Sequence, residues 1–223
     1  MIEIKKGKEP KELLQYRRQD FASYTGMPPE VKKKVLESLL LEQGHLCAYC
    51  MKSIGTGTGD KEHRATIEHC IPQAASAEKE RLNYKNMVAV CWGNRDAHSN
   101  ADKSCDAKRG SLPLEQQNMK MLNVFDGRTL ADIQYRTDGT IFSHNSDVDE
   151  DLNKRLNLNC EAQRFKECRR QALQTLQKMI NDNYPNKTAP KKYLQKLLAH
   201  YTAPSENRVP YSGILIAWLR KKI

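Results

Sequence analysis

The spacing of four of the seven cysteines constrains this chain more than any other feature. Cys47 and Cys50 form a CxxC pair, a tight turn that can direct two thiolates at one metal ion. Cys91 and Cys105 follow as a second pair, with 13 residues between them. A tetrahedral structural zinc site needs four soft ligands, and small modules with little core commonly fold around such an ion. The spacing therefore predicts a structural zinc site.

The remaining cysteines leave one alternative open. Cys70, or the nearby His98, is an alternative to Cys105 as the fourth zinc ligand. Cys160 and Cys168 lie eight positions apart, and we expect them in a core or an interface rather than in a second metal site. The cysteine count is odd and no secretion signal accompanies it, so a disulfide framework is not expected.

Composition and charge restrict the class of protein. No apolar run approaches the roughly 18 residues of a membrane span, and the N-terminus lacks the apolar stretch of a secretion signal, so we expect a cytoplasmic protein. The net charge of +10 is uneven: residues 41–150 carry 13 basic and 16 acidic groups, residues 151–223 carry 15 and 5. Such a basic surface favours a polyanionic partner, DNA or RNA. The alternative is a solubilising surface on ordinary helices.

Apolar periodicity predicts an α+β fold in which a small mixed module lies between N-terminal and C-terminal α-helices. The glycine-rich stretch 55–59 is not followed by the Lys-Ser/Thr pair of a phosphate loop, and we expect it to form a hairpin tip. The predicted helices are 10–22, 28–43, 147–158, 161–183, 190–202 and 211–221, and the predicted strands are Ala65–His69, Asn86–Cys91 and the hairpin Ile133–Tyr135 with Thr140–Phe142. The predicted regions are 1–43 (helices), 44–112 (the zinc-braced module), 113–146 (a hairpin connector) and 147–223 (basic helices).

Chemistry-bearing residues lie between and just after the cysteine pairs. Glu68 and His69 stand side by side ahead of Pro72, which places a hard oxygen ligand beside an imidazole. Asn86 begins the second predicted strand, and Asp106 directly follows a cysteine. Each fragment alone is a weak signal, whereas their order and spacing together point to one site.

In this order the residues resemble the HNH endonucleases of the ββα-metal class, in the subgroup braced by four cysteines. The family pattern is CxxC, an acidic residue with His before Pro, Asn-Leu/Met-Val, then Cys and a closing Cys-Asn/Asp with Lys. The matching residues are Cys47, Cys50, Glu68, His69, Pro72, Asn86–Val88, Cys91, Cys105, Asp106 and Lys108. Two features depart from the pattern: the second cysteine pair is stretched by Trp92–Ser104, and Asp106 stands where Asn or His is commoner.

The flanking segments look like those of the Septu-type (PtuB-like) HNH proteins. The segments concerned are Ile4–Pro10 with Leu13-Leu14 after it, and the C-terminal Trp218–Lys221. Proteins of that type accompany an ABC/RecF-like ATPase in bacterial antiviral defence, in some systems linked to a retron. The resemblance therefore implies an ATPase partner, and in some systems a retron reverse transcriptase complex.

The resemblance also implies a mechanism for phosphodiester hydrolysis. A divalent cation, Mg²⁺ by default, is held by Glu68 and Asp106 with the scissile phosphate. Neutral His69 takes a proton from the attacking water. Asn86 bonds the imidazole or a nearby backbone group and fixes its orientation.

Two basic residues follow the site. Lys108 and Arg109 are expected to contact phosphates, the alternative being a solvated basic pair. DNA is the default substrate of the family, and a structured RNA such as tRNA is an alternative.

Two other classes of function compete with a nuclease. One is a zinc-stapled nucleic-acid-binding module without cleavage, in which the acidic residues and His69 are incidental. The other is an adaptor whose C-terminal helices dock an ATPase through apolar stripes, which could also pack on the chain's own N-terminal helices. The stripes are Leu173, Leu176, Met179, Ile180, Leu194, Leu197 and Leu198.

Overall fold

The computed structural model describes residues 1–56 and 63–223 and is a mixed α and β structure with two small antiparallel sheets. Most of the glycine-rich tip predicted at 55–59 lies outside the described residues. The helices are α1 (Lys11–Tyr16), α2 (Pro29–Gln43), α3 (Glu78–Arg81), α4 (Cys105–Arg109), α5 (Gly127–Ala131), α6 (Ser146–Glu150), α7 (Phe165–Asn183), α8 (Lys191–Thr202) and α9 (Ser212–Lys222). The strands are β1 (Ala65–His69), β2 (Met87–Cys91), β3 (Ile133–Tyr135) and β4 (Ile141–Ser143).

The N-terminal helices lead the chain into the cysteine turn. α2 has proline at its first position and ends at Gly44, whose φ of 62° is the left-handed conformation that glycine adopts without strain. α1 is shorter than predicted because the chain turns back after Tyr16, whose hydroxyl bonds both backbone groups of Ser23. Phe21, which lies within the predicted helix 10–22, is consequently 79% exposed.

The β1–β2 hairpin is the centre of the middle region. β1 pairs with β2 in antiparallel register, from Ala65 opposite Cys91 to His69 opposite Met87. Every residue of β2 is buried, since α2 packs on it from one side and α4 also contacts it. Gln43 at the end of α2 joins the two elements: its amide donates to the Ala89 carbonyl and accepts from the Ala89 N–H. The two predicted strands are therefore confirmed.

The second sheet connects the middle of the chain to the C-terminal helices. β3 and β4 form the predicted hairpin. The helix predicted over 147–158 starts as α6 and continues as a π-helical turn over 151–155. Asp151, which is fully buried in that turn, accepts hydrogen bonds from three successive backbone N–H groups over residues 120–122. This carboxylate holds the connector segment against the turn.

Two apolar clusters make up the core. The first extends from Ile4 to Phe165 and includes all four cysteines of the predicted zinc site. The second lies among α7, α8 and α9, and Tyr135 of β3 packs against both clusters. Its buried members are Leu173, Leu176, Leu194, Ile214, Leu215 and Leu219.

The second cluster contains part of the apolar stripes of the C-terminal helices. Leu173, Leu176 and Leu194 are buried in it together with residues of α9, whereas the other stripe residues, Met179, Ile180, Leu197 and Leu198, are only partly buried. The three leucines are buried because α9 is itself apolar on the side that faces α7 and α8.

The outer side of the C-terminal helices is polar. α7 is the longest described helix, with 19 residues, and its exposed residues include Arg170 and Lys178. None of the helices in the part of the chain that the structure describes has the length and apolar character to cross a membrane.

Candidate metal centre and active site

The first cysteine pair lies on a tight turn directly after α2. The backbone N–H of Cys47 donates to Lys52, and Leu46 bridges to Ser53, so the turn closes on itself. Met51 completes it with a φ of 62°. This geometry places both Sγ atoms on the inner side of the turn, and Cys47 and Cys50 are 1% and 3% exposed.

Residues at the two ends of the 92–104 insertion bring the second cysteine pair together. Gly93 accepts a hydrogen bond from Ser104 at 2.9 Å, and its φ is 63°. A side chain at Gly93 would put its Cβ 2.3 Å from the Ser104 carbonyl oxygen, which only glycine avoids. The 13-residue insertion is therefore pinched at its base, and Cys91 at the end of β2 comes next to Cys105 at the start of α4.

The four Sγ atoms form one buried group that can hold a metal such as zinc. All lie within 4.8 Å of one another, with 3.9 Å between Cys47 and Cys105 and 3.7 Å between Cys50 and Cys91. Four thiolates around zinc at about 2.3 Å stand about 3.8 Å apart, so the donor set fits a tetrahedral ion. His98 is exposed and outside this group.

Burial and close packing shift the pKa values of thiols in the cysteine group. Burial raises the pKa of Cys50 and of Cys105. Burial also acts against a thiolate at Cys47, but contacts with the neighbouring thiols outweigh it and lower the pKa of Cys47. Cys70 is not part of this group; its pKa is raised to about 12, chiefly by burial. The alternatives to Cys105 as the fourth ligand thus do not match the geometry.

A buried ion pair lies beside the end of β1. Arg109 is 3% exposed, and its guanidinium donates to the Glu68 carboxylate and to the backbone carbonyls of His69 and Cys70. The structure therefore does not support Arg109 as a phosphate contact. α4 directs this side chain inward, where it ties the helix to the end of β1.

The two predicted metal-binding carboxylates approach each other. Burial raises the pKa of Glu68, and the nearby charge of Asp106 raises it further. Asp106 in turn is bonded by Arg95 from the 92–104 insertion. Two neighbouring carboxylates form the hard oxygen donor set that a divalent cation takes, so the residue types fit such an ion. Within the described residues, the cysteine group is the only cluster of three or more metal-ligating side chains.

His69 presents one nitrogen to the protein and one to the site. Its Nε2 is 2.8 Å from the Arg81 carbonyl oxygen, which assigns the ring proton to Nε2, because a carbonyl only accepts. Nδ1 is buried without a hydrogen-bond partner among the described residues. The ring meets Tyr24 edge to face, at 4.5 Å between centroids. Burial lowers the pKa of His69, and the charges of Arg109 and Arg81 add to this effect, so the imidazole is neutral at pH 7.

Asn86 and Lys108 have structural contacts. The side chain of Asn86 accepts from the Ile71 N–H at 2.8 Å and donates to the Ile71 carbonyl oxygen at 3.1 Å, which braces the chain just beyond His69. Of the two expected partners for Asn86, the structure shows the backbone rather than the imidazole. Lys108 is half-buried and donates to the Asn100 carbonyl oxygen of the insertion.

Sequence reasoning missed several residues of this site. Tyr24, Arg81 and Arg95 contact the predicted His69 and Asp106, yet they lie outside the family pattern. Arg81 acts through its backbone carbonyl, for which no sequence signal exists. For Arg95 the available signal was its position inside the 92–104 insertion, which departs from the family pattern.

No protein-family model and no curated protein matches this chain. The chemistry of the site is therefore inferred from its own residues.

Proposed function

We propose that the chain is a metal-dependent endonuclease of the HNH, ββα-metal type, which hydrolyses phosphodiester bonds. The observation that carries this proposal is the buried, neutral His69 with an unpartnered Nδ1, next to the Glu68 and Asp106 carboxylates. Glu68 and His69 lie on β1, which pairs with β2, and Asp106 lies on the later helix α4, so the elements follow the order that the ββα name describes. A module that only binds nucleic acid has no need of this set.

The cysteine group has a structural role in this proposal. It joins the turn after α2, the end of β2 and the start of α4, so one Zn²⁺ would brace all three elements. The two β-strands are only five residues long, and a two-stranded sheet is at best marginally stable on its own. Zinc at this position therefore supplies folding free energy and takes no part in the reaction.

His69 acts as the general base. Its Nε2–H bond to the Arg81 carbonyl holds the ring and its tautomer, so the lone pair of Nδ1 is the atom that accepts a proton from the attacking water. Burial keeps the imidazole unprotonated at neutral pH. The Asn86 clamp on Ile71 fixes the chain two residues beyond the ring.

Glu68 and Asp106 would hold a divalent cation, Mg²⁺ by default. When bound, the cation neutralises the charge that develops on the phosphate and its leaving oxygen. The side chain of Asp106 is 19% exposed and that of Glu68 only 9%, so the substrate phosphate approaches from the Asp106 side. Arg109 fixes the Glu68 carboxylate from behind.

The charge of the C-terminal region favours a polyanionic substrate, and the proposed location is the cytoplasm. The last 73 residues carry 15 basic and 5 acidic groups, and exposed lysines lie on α7 and α8. DNA is the default substrate, and an RNA such as tRNA is the alternative. We propose that the nuclease is the effector of a bacterial antiviral defence system together with an ABC/RecF-like ATPase, in some systems with a retron reverse transcriptase complex.

The test removes the base and leaves the fold. His69→Ala should lower the cleavage rate on plasmid DNA or tRNA with Mg²⁺ or Mn²⁺ by about 10²–10⁴-fold, which is the contribution of a general base. Binding of the same substrate and zinc content should stay unchanged. His98→Ala, which alters an exposed histidine of the insertion, is the matched control and should cut at the parental rate.

The opposite results are equally clear. Cleavage by the His69→Ala protein at the parental rate would contradict the assignment of the base. A parental protein that binds nucleic acid and never cuts it, with or without an ATPase, would favour the alternative, a non-catalytic zinc-stapled adaptor.

A further inference from the structure

Arg95 and Arg109 each bond one of the two carboxylates, but in opposite ways. Arg109 is 3% exposed and bonds Glu68 together with two backbone carbonyls, so it is locked in the interior. The side chain of Arg95 is 43% exposed and bonds Asp106, whose side chain is 19% exposed. The pair at Arg95 therefore lies where solvent and a substrate can reach it.

The Trp92 ring holds the Arg95 side chain beside Asp106. Its guanidinium carbon lies 5.1 Å from the centre of the Trp92 ring, and that of Arg64 lies 5.0 Å from the same ring. Trp92 is held in turn by a hydrogen bond from Nε1 to Asp96 at 3.3 Å. An arginine on an indole face keeps that contact while its N–H groups exchange one anionic partner for another.

A phosphate competes with Asp106 for Arg95. Arginine binds phosphate and carboxylate in the same forked, charge-assisted geometry, so the exchange conserves the type of hydrogen bond. It also releases Asp106, the more exposed carboxylate of the proposed cation site. The insertion is anchored at Gly93 and Ser104, so Arg95 can move without disturbing the cysteine group.

We propose that Arg95 is a substrate-operated latch of the active site. Without nucleic acid its guanidinium covers Asp106 and weakens cation binding, and a backbone phosphate next to the scissile bond takes Arg95 over and frees Asp106 for the cation. This inference rests on the proposed function, since it assigns a regulatory step to the same site. Arg95 is accordingly a phosphate-binding and positioning residue and acts on the reaction through Asp106.

The first test measures Mn²⁺ binding by the full-length protein without nucleic acid, by electron paramagnetic resonance or calorimetry. Arg95→Gln should bind Mn²⁺ about tenfold more tightly, because no guanidinium has to be displaced from the carboxylate. Arg64→Gln removes a charge from the same indole ring without touching Asp106, and so measures the general effect of charge. Arg128→Gln removes an exposed arginine that pairs with Asp126 elsewhere on the chain.

The Mn²⁺ result decides the first half of the proposal. The latch requires that the gain for Arg95→Gln exceed the gain for both control variants. Equal gains for Arg95→Gln and Arg64→Gln, or no gain at all, would overturn it.

The second test measures nucleic-acid binding in EDTA over a range of salt concentrations. Arg95→Gln should weaken binding and reduce the slope of log K against log salt by about 0.7–0.9, the value for one lost phosphate contact. Arg128→Gln should leave the slope unchanged. An unchanged slope for Arg95→Gln would show that no phosphate takes this residue over, and the latch would fail.

Failure of the latch differs from failure of the nuclease proposal. If the parental protein cuts nucleic acid and Arg95→Gln binds Mn²⁺ no more tightly, the nuclease proposal stands and the latch is contradicted. If Arg95→Gln binds Mn²⁺ more tightly but neither the parental protein nor any variant cuts nucleic acid, Arg95 does control cation binding. The nuclease proposal is then contradicted.

Discussion

The cysteine module around β1, β2 and α4 and the helical region of α7, α8 and α9 are stabilised in different ways. The module buries a group of four thiols and, beside it, a polar network of Glu68, His69, Asn86 and Arg109. The helical region buries mainly leucines and isoleucines, and the polar residues Arg169 and Ser212 are buried as well. A long helix satisfies its own backbone and needs only an apolar stripe, whereas two five-residue strands need further crosslinks. The candidate site therefore lies in the region where the cysteine group and the polar network supplement the apolar core.

Each region contains one of the two tryptophans, which makes the comparison measurable. Trp92 follows β2 in the module, and Trp218 packs against the apolar cluster of the helical region. Single-tryptophan variants, Trp92→Phe and Trp218→Phe, therefore report on one region at a time.

Loss of the metal should separate the two regions most strongly. Cys47→Ser, or treatment with a chelator, should unfold the module, since structural zinc sites contribute about 10–16 kcal/mol at pH 7. The fluorescence of Trp92 should shift to that of a solvated indole, while Trp218 changes less. Metal analysis should find about one zinc per parental chain and none in the variant.

Cys168→Ser is the matched control, because Cys168 is half-buried and outside the cysteine group. It should keep its zinc and its module. A Cys47→Ser protein with a folded module and full activity would refute the structural role of the metal.

Removal of Arg109 tests the polar network. Arg109→Ala leaves the Glu68 carboxylate buried without its partner, and breaking such a pair costs about 3–5 kcal/mol. Urea unfolding followed at Trp92 gives the free energy of unfolding. Arg128→Ala, which breaks an exposed pair, should cost much less, because solvent screens that pair. Equal costs for the two variants would show that the network adds nothing to the module.

Truncation of a buried leucine tests the helical region. Leu176→Ala should lower the free energy of unfolding by about 3 kcal/mol through lost apolar contact and a cavity. The unfolding transition seen at Trp218 should move to lower urea, and the zinc content should stay that of the parent. Leu114→Ala, at a side chain that is 50% exposed, is the control. A loss of zinc in Leu176→Ala would show that the two regions fold as one unit.

The smallest effect concerns pH. Hydrogen bonds from Arg155 and Lys120 lower the pKa of Glu150 to about 2. A carboxyl whose pKa is lowered in the folded state stabilises the protein above its unfolded pKa of 4.5, and this contribution is lost as the pH falls towards 2. Glu150→Gln should therefore flatten the pH dependence of unfolding between these values. Glu161→Gln, at an exposed carboxyl, is the control variant.

Much of the fold was predictable because its signals are local. The strands Ala65–His69 and 86–91, the end of α2 at Gly44 and the β3–β4 hairpin follow from alternation and turn residues, and they were confirmed within a residue or two. The set of four cysteines also followed from spacing, with the fourth ligand open. The excess length predicted for α1 arose because apolar residues continue past Tyr16 although the chain turns back there.

The sequence by itself determined which residue types are available: four cysteines, an adjacent Glu and His, and apolar stripes on the C-terminal helices. The tertiary structure alone decided their partners. Arg109 points inward and bonds Glu68, and Arg95 of the 92–104 insertion bonds Asp106. The buried leucines of α7 and α8 pack in one cluster with α9. The physical reason is that a long charged side chain or an apolar stripe has many acceptable partners. Which one it meets depends on contacts between residues far apart in the chain, and local patterns carry no information about those contacts.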